Sequence, residues 1–454
     1  PKHYSDRTPV SVIRFKKHPA LLTIIREFIA EKNERFNREL ADHLERKGIR
    51  DFPTWKLQQM PFISRLYTLN EWIEGDKTIS GVPFRYGVEV SSRIQRLISD
   101  FIDPEKTRLD MVILFWEELF TNFEHLRVRF KELAGGDLSD GELSAVGEWQ
   151  KSQYIQRFSL GEMDKTDLLE IFIGDEKKLN EMPTLDYEDD PILLYFYQHL
   201  FKEIVSNGGG SLELSHLMVD EVQDLSPVEL AVLLKTLKEP ASITLAGDVN
   251  QKMVEQSGFM DWERMFESLG LQGEAVSTLT IGYRSTFEIM TFALELLGDL
   301  ASVNEVTSTR NGPPIELFHF SNQGELVYFL AKSLKDLTII EPNASIALIC
   351  LNPEDATSYF QLLDKMELND LRLISDQDFP FTPGIDVTDI KQVKGLEFDY
   401  VILLDVDGEH YPDNNYSRYL LHIGATRAAH QLWLMNCGDP SPIIPAPLLT
   451  RMIQ

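Results

Sequence analysis

The chain has 454 residues and a formal net charge of −28. As a whole, such a chain would repel the phosphates of a nucleic acid, and its acidic surface would suit a basic protein partner. Its 43% hydrophobic and 10% aromatic residues are typical of folded proteins and exclude a disordered chain. Because the sequence shows neither a membrane-length apolar run nor a secretion leader, and Cys350 and Cys437 lack metal-ligand spacing, we expect a cytoplasmic protein with free thiols and no membrane association.

The amino-terminal part predicts one short strand followed by helices. The run 10–15 reads as a strand, Val-Ser-Val-Ile-Arg-Phe. After it, apolar side chains recur at three- and four-residue spacing near 21–29, 89–102, 108–133 and 191–206, which is the period of an α-helix. Residues 17–185 are therefore predicted to form a mostly helical module.

Strands and helices alternate after the glycines at 208–210, which predict a flexible hinge. Strands are predicted at 214–220, 242–246, 276–281, 315–320, 344–350, 398–405 and 431–436. Helices are predicted at 226–237, 260–268, 286–298, 323–335, 353–366 and 417–429. This alternation predicts the α/β class, with parallel sheets that carry helices on both faces. A break at 311–314 divides the pattern into two lobes, between which we expect a cleft.

Two predicted strands end in acidic and amide side chains. The first leads into Asp220 and Glu221, and the second leads through Asp248 to Gln251. Parallel strands end at the same sheet edge, where α/β proteins bind ligands. Nucleotide hydrolases present a magnesium-holding carboxylate and a water-orienting carboxylate in this way. A single acidic strand end is equally compatible with a turn or a helix cap.

Three further segments follow in a fixed order. They are Gly-Tyr283-Arg284-Ser between a strand and a helix, Gln392-Val-Lys-Gly395-Leu-Glu397 before an apolar strand, and Thr-Arg427-Ala at the end of a helix. Together with the two acidic strand ends, their order and spacing resemble motifs II to VI of superfamily 1 helicases of the UvrD/Rep type. The resemblance covers roughly residues 190–437.

The resemblance implies an α/β fold of two RecA-like parallel-sheet lobes, the first of them incomplete, plus the helical insert. The implied divisions are a remnant of the first lobe at 1–16, the insert at 17–185, the first lobe with motifs II to IV at 186–300, and the second lobe with motifs V and VI at 301–454. The implied cofactors are ATP and Mg²⁺.

The resemblance also implies site residues. In the catalytic group, Asp220 would be the Mg²⁺ ligand, Glu221 the base and Gln251 the sensor of the terminal phosphate. Arg284 and Arg427 would be the two arginine fingers. The group that binds nucleotide or base comprises the stacking aromatic Tyr283, the ribose contact Glu397, and the neighbouring positions Gly395 and Gln392. We expect the acids of one lobe and the cations of the other to meet at one triphosphate.

The chain departs from the family pattern first in its phosphate loop. A P-loop contains Gly-Lys-Ser/Thr, whose amides and lysine hold phosphates and whose hydroxyl joins Asp220 on Mg²⁺. No Gly-Lys dipeptide occurs in the 454 residues. Because the chain begins at Pro1 without a methionine, we expect the loop to lie on a preceding segment. We therefore expect this chain alone to hydrolyse ATP negligibly.

Other departures point to one branch of the family. No aromatic residue follows Gln251 before Ser257, although base stacking on such residues contributes about 1–3 kcal/mol per base. Lys391 stands where the DNA motors usually have a His, and only about 107 residues separate Arg284 from Gln392. With the helical insert and the acidic balance, these features resemble the HelD proteins, ATPases that act on bacterial RNA polymerase.

Three functions are compatible with the sequence. The first is an ATP-dependent DNA helicase or translocase core that acts on single-stranded DNA. The second is a HelD-like ATPase that remodels RNA polymerase. The third is a non-enzymatic acidic binding module. Stimulation of ATP hydrolysis by single-stranded DNA distinguishes the first from the second, and co-purification with RNA polymerase distinguishes the second from the first.

Overall fold

The computed structural model describes residues 8–75, 77–79, 81–103, 106–159, 185–201, 212–238, 242–248, 250, 261–271, 276–279, 281–301 and 307–453, without the side chains of 154–159 and 307. Its contacts divide the chain into two compact units. Unit 1 comprises Pro1–Asp248 and Glu255–Glu274, and unit 2 comprises Val249–Val254 and Ala275–Gln454. The predicted hinge at 208–210 lies outside the described residues, and the four-part division of the sequence stays a prediction.

Unit 1 is mostly helical, as the apolar spacing predicts. Its described helices are α1 Val10–Lys17, α2 Pro19–Arg46, α3 Thr54–Leu57, α4 Phe62–Ile73, α5 Val88–Ser99, α6 Arg108–Thr121, α7 Phe123–Ala134, α8 Asp140–Ser159, α9 Asp189–Leu200, α10 Pro227–Leu234 and α11 Trp262–Leu269. The stripe at 108–133 is two helices, because Asn122 leaves helical geometry between α6 and α7. No described helix combines the length and apolarity that crossing a membrane requires.

The predicted strand at 10–15 is wrong, because these residues belong to helix α1. A six-residue apolar run fits both the strand period and the helix period, so the sequence alone cannot distinguish them. Packing selects the helix: the buried residues of α1 are Val12, Ile13, Phe15 and Lys16, which share one helical face. Pro9 precedes the first turn as its N-cap residue.

A buried ionic cluster ties α1 to the rest of unit 1. Lys16 Nζ lies 2.5 Å from Asp186 Oδ2 and 2.8 Å from Asp189 Oδ1, and all three side chains are fully buried. Trp149 donates its indole N–H to Asp186 at 2.9 Å, and Trp116 donates to Asp189 at 3.0 Å. The cluster therefore joins α1, α6, α8 and α9 through polar contacts inside the helical core.

A small parallel sheet also belongs to unit 1. Strands β1 (Leu217–Val219) and β2 (Ile243–Leu245) pair in parallel, with Leu217 opposite Ile243. The intervening helix α10 begins with a capping box between Ser226 and Glu229. Parallel pairing makes both strands end at the same edge, where the two acidic segments begin.

Unit 2 contains a six-stranded parallel sheet with helices on both faces. In the order β5-β10-β9-β6-β8-β7, its strands are Glu316–His319, Ala428–Asn436, Phe398–Leu403, Ser345–Cys350, Gly384–Asp389 and Leu371–Leu373. A separate parallel pair is β3 Ile281–Gly282 and β4 Thr307–Ser308. The described helices of unit 2 are α12 Phe287–Leu297, α13 Gln323–Ile340, α14 Pro353–Asp364, α15 Asn415–Ala425 and α16 Ala446–Leu449. The predicted α/β class with parallel sheets is confirmed.

Each face of this sheet has its own hydrophobic core. On one face, α12 and α15 pack against alternate residues such as Ala347 and Ile349 of β6. On the other face, α13 and α14 pack against Ile346 and Leu348 of the same strand. The continuous apolar run of β6 is thus explained, because a central parallel strand is buried on both sides.

Several elements of unit 2 differ from the sequence-based prediction. Residues 276–279 form no strand, and in the described part of this segment regular pairing begins at Ile281. Strands β7 and β8 were not predicted. In β8 the reason is its acidic residues, which are not typical of a buried strand. Asp386 of β8 is buried because Arg372 of β7 binds it, with 2.7 Å between Nε and Oδ1. The predicted helix at 417–429 ends at Ala425, and β10 already begins at Ala428.

Candidate functional site

The two acidic strand ends of unit 1 lie together at one edge of the small sheet. Val222 donates its backbone N–H to Ala246 O at 3.0 Å, and Ala246 donates its own to Val219 O at 2.8 Å. These bonds continue the parallel pairing beyond the strands. The residues after β1 therefore lie beside the residues after β2, as the sequence predicts.

Glu221 adopts a left-handed backbone conformation directly after Asp220. Its φ of 50° and ψ of 41° lie in a region that costs a non-glycine residue on the order of 1 kcal/mol. Glu221 N–H donates to Asp220 Oδ1 at 2.9 Å, and Gln223 donates from Nε2 to Glu221 Oε2 at 2.5 Å. Both predicted acids are thus oriented by hydrogen bonds within the motif.

Gln223 connects the two strand ends, a role that sequence reasoning missed. Its side chain is fully buried, and Asp248 donates its backbone N–H to Gln223 Oε1 at 3.0 Å. A Cβ on Gly247 would lie 2.6 Å from that same oxygen, so only glycine allows this approach. The sequence signal for this role was the position of Gln223 between acidic residues. A buried glutamine needs hydrogen-bond partners for both ends of its amide, so Gln223 could be expected to connect neighbouring groups.

Asp220 is the residue at this edge that would hold Mg²⁺. Asp220 is exposed, and no group of three or more His, Cys, Asp or Glu side chains that could hold a metal ion occurs among the described residues. Mg²⁺ needs only one or two carboxylates, because waters and phosphates complete its shell. The assignment of Asp220 as the Mg²⁺ ligand stays a prediction, and Gln251 lies outside the described residues.

Three predicted segments of unit 2 meet at the amino-terminal ends of the central strands β9 and β10. Phe398 donates its backbone N–H to Arg427 O at 2.9 Å. Ser285 donates its hydroxyl to Ala428 O at 2.6 Å. Residues 143 positions apart in the chain are therefore in direct contact. We call this junction the β9–β10 entrance, formed by the residues that begin β9, β10 and α12.

Arg284 and Glu397 form an exposed ion pair at the β9–β10 entrance, through Arg284 Nε. The side chains are 67% and 38% exposed, so solvent screens their attraction and either can change partners cheaply. Arg310 donates from Nη1 to Arg284 O at 3.0 Å and holds the backbone in place. The neighbouring Tyr283 is 70% exposed, which leaves its ring accessible for stacking.

Arg427 is buried at the same entrance and is only 4% exposed. Its Nε donates to Ile423 O at 3.0 Å and its Nη1 donates to Leu396 O at 3.1 Å. A third donor, Nη2, lies 3.2 Å from Thr426 Oγ1. In this conformation the guanidinium joins the end of α15 to the residue before Glu397. Its assignment as an arginine finger stays a prediction.

Gln392 and Gly395 have different surroundings, although they belong to one predicted motif. Gln392 donates to Asp389 Oδ2 at 2.5 Å and accepts from Gln377 N–H at 3.0 Å, so both ends of its amide have protein partners. Gly395 is exposed with a φ of 75°, a conformation that favours glycine. Gln392 therefore braces the end of β8, while Gly395 shapes the turn that leads to the β9–β10 entrance.

Part of unit 2 is similar to known proteins. Residues 384–435 match the family model described as the UvrD-like helicase C-terminal domain. A search of the curated proteins finds no match. One similar solved structure is the C-terminal domain of a possible DNA helicase from Lactobacillus plantarum WCFS1, with 25% identity and a TM-score of 0.32 over 38% of this chain and 98% of that chain. Another is the PRRSV helicase, with 14% identity and a TM-score of 0.27 over 51% of this chain and 36% of that chain.

The matched segment begins at the first residue of β8 and includes most of β10. It contains the turn with Gly395, the exposed Glu397 and the buried Arg427. The β9–β10 entrance is thus built largely from the part of the chain that is similar to a UvrD-like helicase C-terminal domain.

Proposed function

We propose that the chain is the core of an ATP-dependent superfamily 1 DNA helicase or translocase. The observation that carries the proposal is the meeting of Arg284, Glu397 and Arg427 at the β9–β10 entrance. Glu397 and Arg427 lie inside the segment similar to a UvrD-like helicase C-terminal domain, and Arg284 lies 100 positions before it. These motif positions are distant in the chain, and the fold brings them together at one junction.

The acidic edge of unit 1 supplies the groups for phosphate hydrolysis. Asp220 would hold Mg²⁺, which neutralises the charge that develops on transferred phosphoryl groups. Glu221 would accept a proton from the attacking water or orient that water, an effect typically worth about 10²–10⁴ in rate. The hydrogen bond from Gln223 fixes the direction of the Glu221 carboxylate before substrate arrives.

The β9–β10 entrance supplies cationic and stacking groups. Arg284 would exchange Glu397 for a phosphate oxygen, which costs little because an exposed ion pair contributes only about 0–1 kcal/mol. Glu397 would then be available for the ribose hydroxyls, and Tyr283 offers an exposed ring for a base. Arginine fingers contribute on the order of 10³–10⁵ in rate, so Arg284 and Arg427 are the most sensitive positions of this group.

The decisive experiment measures ATP hydrolysis by the full-length protein from its natural gene, with and without a single-stranded DNA oligonucleotide. We expect DNA to stimulate turnover, and Glu221→Gln and Arg284→Ala to reduce it by at least about 100-fold. Arg451→Ala changes an exposed arginine of unit 2 outside the motifs and should leave turnover unchanged. Equal turnover in the wild type and in both motif variants would contradict the proposal.

The chain of 454 residues offers a second measurement. Because it contains no Gly-Lys dipeptide, it has no P-loop lysine to hold the phosphates. We expect its turnover to equal that of its own Glu221→Gln variant. Hydrolysis at the rate of a helicase motor, abolished by that substitution, would show that other groups replace the P-loop.

A HelD-like ATPase that remodels RNA polymerase is the second candidate, and the net charge of −28 favours it. An acidic protein is suited to channels that are basic because they hold nucleic acid. Immobilised full-length protein would retain RNA polymerase from a bacterial extract, and single-stranded DNA would leave its ATP hydrolysis unchanged. Stimulation by DNA without polymerase binding would favour the helicase instead.

A further inference from the structure

Helices α2, α3 and α4 of unit 1 enclose a cavity of about 120 Å³ that no part of the proposed function uses. Among its lining residues, Phe36, Leu57 and Arg65 are buried. Its rim includes Ala41 and Gln58, which are exposed. The cavity therefore combines an exposed rim with buried apolar side chains and one buried cationic side chain.

Arg65 is a buried cation without a carboxylate partner among the described residues. It is only 3% exposed, and its Nη2 donates to the neutral oxygen Asn33 Oδ1. No residue in the described part of the chain accepts a hydrogen bond from its Nε. Burial lowers the pKa of Arg65 to about 10, and no negative group opposes that effect. The guanidinium thus has both an unused donor and an uncompensated charge.

Two aromatic rings compensate for part of the desolvation of Arg65. The guanidinium carbon lies 5.6 Å from the ring centre of Phe36 and 5.5 Å from that of Phe62. Cation–π contacts are attractive, but they provide neither a hydrogen-bond acceptor nor a negative charge. Burying a cation is expensive unless it is both paired and hydrogen-bonded. An anion in the cavity would supply both of the missing components.

We propose that this cavity binds a small organic carboxylate, with its charge on Arg65 and its hydrocarbon part against Phe36, Leu40 and Leu57. The planar guanidinium matches the geometry of a carboxylate. The single lining arginine balances one negative charge, which favours a monoanion over phosphate. An apolar cavity of about 150 Å³ holds a benzene molecule. A volume of about 120 Å³ therefore fits a ligand of roughly four to six heavy atoms, such as acetate, propionate or butyrate.

Isothermal titration of the full chain with propionate tests this proposal, with propionamide as its neutral isostere and inorganic phosphate as the competing anion. Sodium chloride is added to give every titration the same ionic strength, so that non-specific electrostatic attraction is screened equally in each. We expect saturable binding of propionate and no binding of propionamide. Equal heats from propionate and propionamide would overturn the proposal, and tighter binding of phosphate would overturn the assignment to carboxylates.

The variants identify the residue that is responsible. Arg65→Gln should weaken propionate binding by at least about tenfold, since hydrogen bonds to charged groups are typically worth that much. Arg35→Gln is the matched control, because Arg35 also lies over an aromatic ring, 5.2 Å from the centre of Phe101, but is exposed. Unchanged binding in Arg65→Gln, or an equal loss in both variants, would contradict the proposal.

A second variant keeps the test decisive if Arg65→Gln does not fold. Gln58 is exposed at the rim, so Gln58→Glu should leave the fold intact and place a negative charge at the mouth of the cavity. That charge repels a carboxylate and attracts Arg65, and both effects should weaken propionate binding several-fold. Binding that is indifferent to Gln58→Glu would place the anion elsewhere.

Discussion

Lys16→Met should destabilise unit 1 strongly, because Lys16 is the cation of the buried ionic cluster. Its Nζ lies 2.5 Å from Asp186 and 2.8 Å from Asp189, and none of the three side chains is exposed. Methionine has a similar length and an apolar stem, so the substitution removes the charge with little change in volume. The variant would therefore contain two buried carboxylates without their cation.

The magnitude follows from the bonds that remain in the variant. Removing one partner of a buried ion pair costs about 3–5 kcal/mol. Asp186 keeps hydrogen bonds from Trp149 and Thr8, and Asp189 keeps bonds from Trp116 and the backbone N–H of Asp186. Four neutral donors still solvate the carboxylates, which places the expected loss near the lower end of that range, at about 3 kcal/mol.

Urea unfolding followed by tryptophan fluorescence measures this loss. Of the six tryptophans, only Trp433 belongs to unit 2, and Trp116 and Trp149 donate directly to the cluster. Lys77→Met is the matched control, because its pair with Glu71 is exposed and should contribute no more than about 1 kcal/mol. Equal losses in the two methionine variants would refute the reasoning about buried charge.

Three further predictions concern the two units separately. Gln223→Ala removes one hydrogen bond to a carboxylate and one from a backbone N–H, so it should lower the free energy of unfolding of unit 1 by about 2–4 kcal/mol, measured in urea. Gly247→Ala should destabilise the Gln223→Ala variant less than it destabilises the wild type, because both substitutions disturb the same contact. Burial lowers the pKa of His410, but its hydrogen bond to Asp407 and the surrounding aspartates outweigh that effect and raise the pKa above 6.5. Its contribution to stability should therefore be complete below about pH 6.5 and decrease as the pH rises through the folded pKa; thermal melts of His410→Asn should lack this slope. Gly424→Ala should cost unit 2 about 1–3 kcal/mol in urea, because the new Cβ would lie within 2.9 Å of two packed side-chain carbons, and an unaltered transition would contradict that overpacking.

The pattern of apolar residues predicts the type of element correctly in the helices of unit 1 and in β6. The apolar stripes of the amino-terminal module correctly predict helices, because packing against one side requires a period near 3.6. The apolar run at 344–350 correctly predicts the strand β6 of a parallel sheet. The same reasoning is wrong at 10–15, because six residues fit both periods, and it misses β8, because Asp386 is buried beside Arg372 of the neighbouring strand.

The candidate site divides in a similar way. Motif order identifies Asp220, Glu221, Arg284 and Arg427 as positions of interest, and parallel topology predicts that the strand ends of unit 1 lie together. Neither pattern shows that Gln223 connects those ends, nor that the guanidinium of Arg427 is bound by main-chain oxygens. Hydrogen-bond partners depend on which side chains approach within about 3 Å, a property of the packed molecule that spacing along the chain does not encode.

By itself, then, the sequence determined the α/β class, the parallel sheets and the positions of the motif residues, because each of these depends on local periodicity and residue order. Only tertiary structure decided that Lys16 and Asp189 are paired inside the core, that Arg284 pairs with Glu397, and that Arg65 is buried with no carboxylate partner in the described part of the chain. The physical reason is that the energy of a charge depends on its surroundings, which residues distant in the chain supply only after folding.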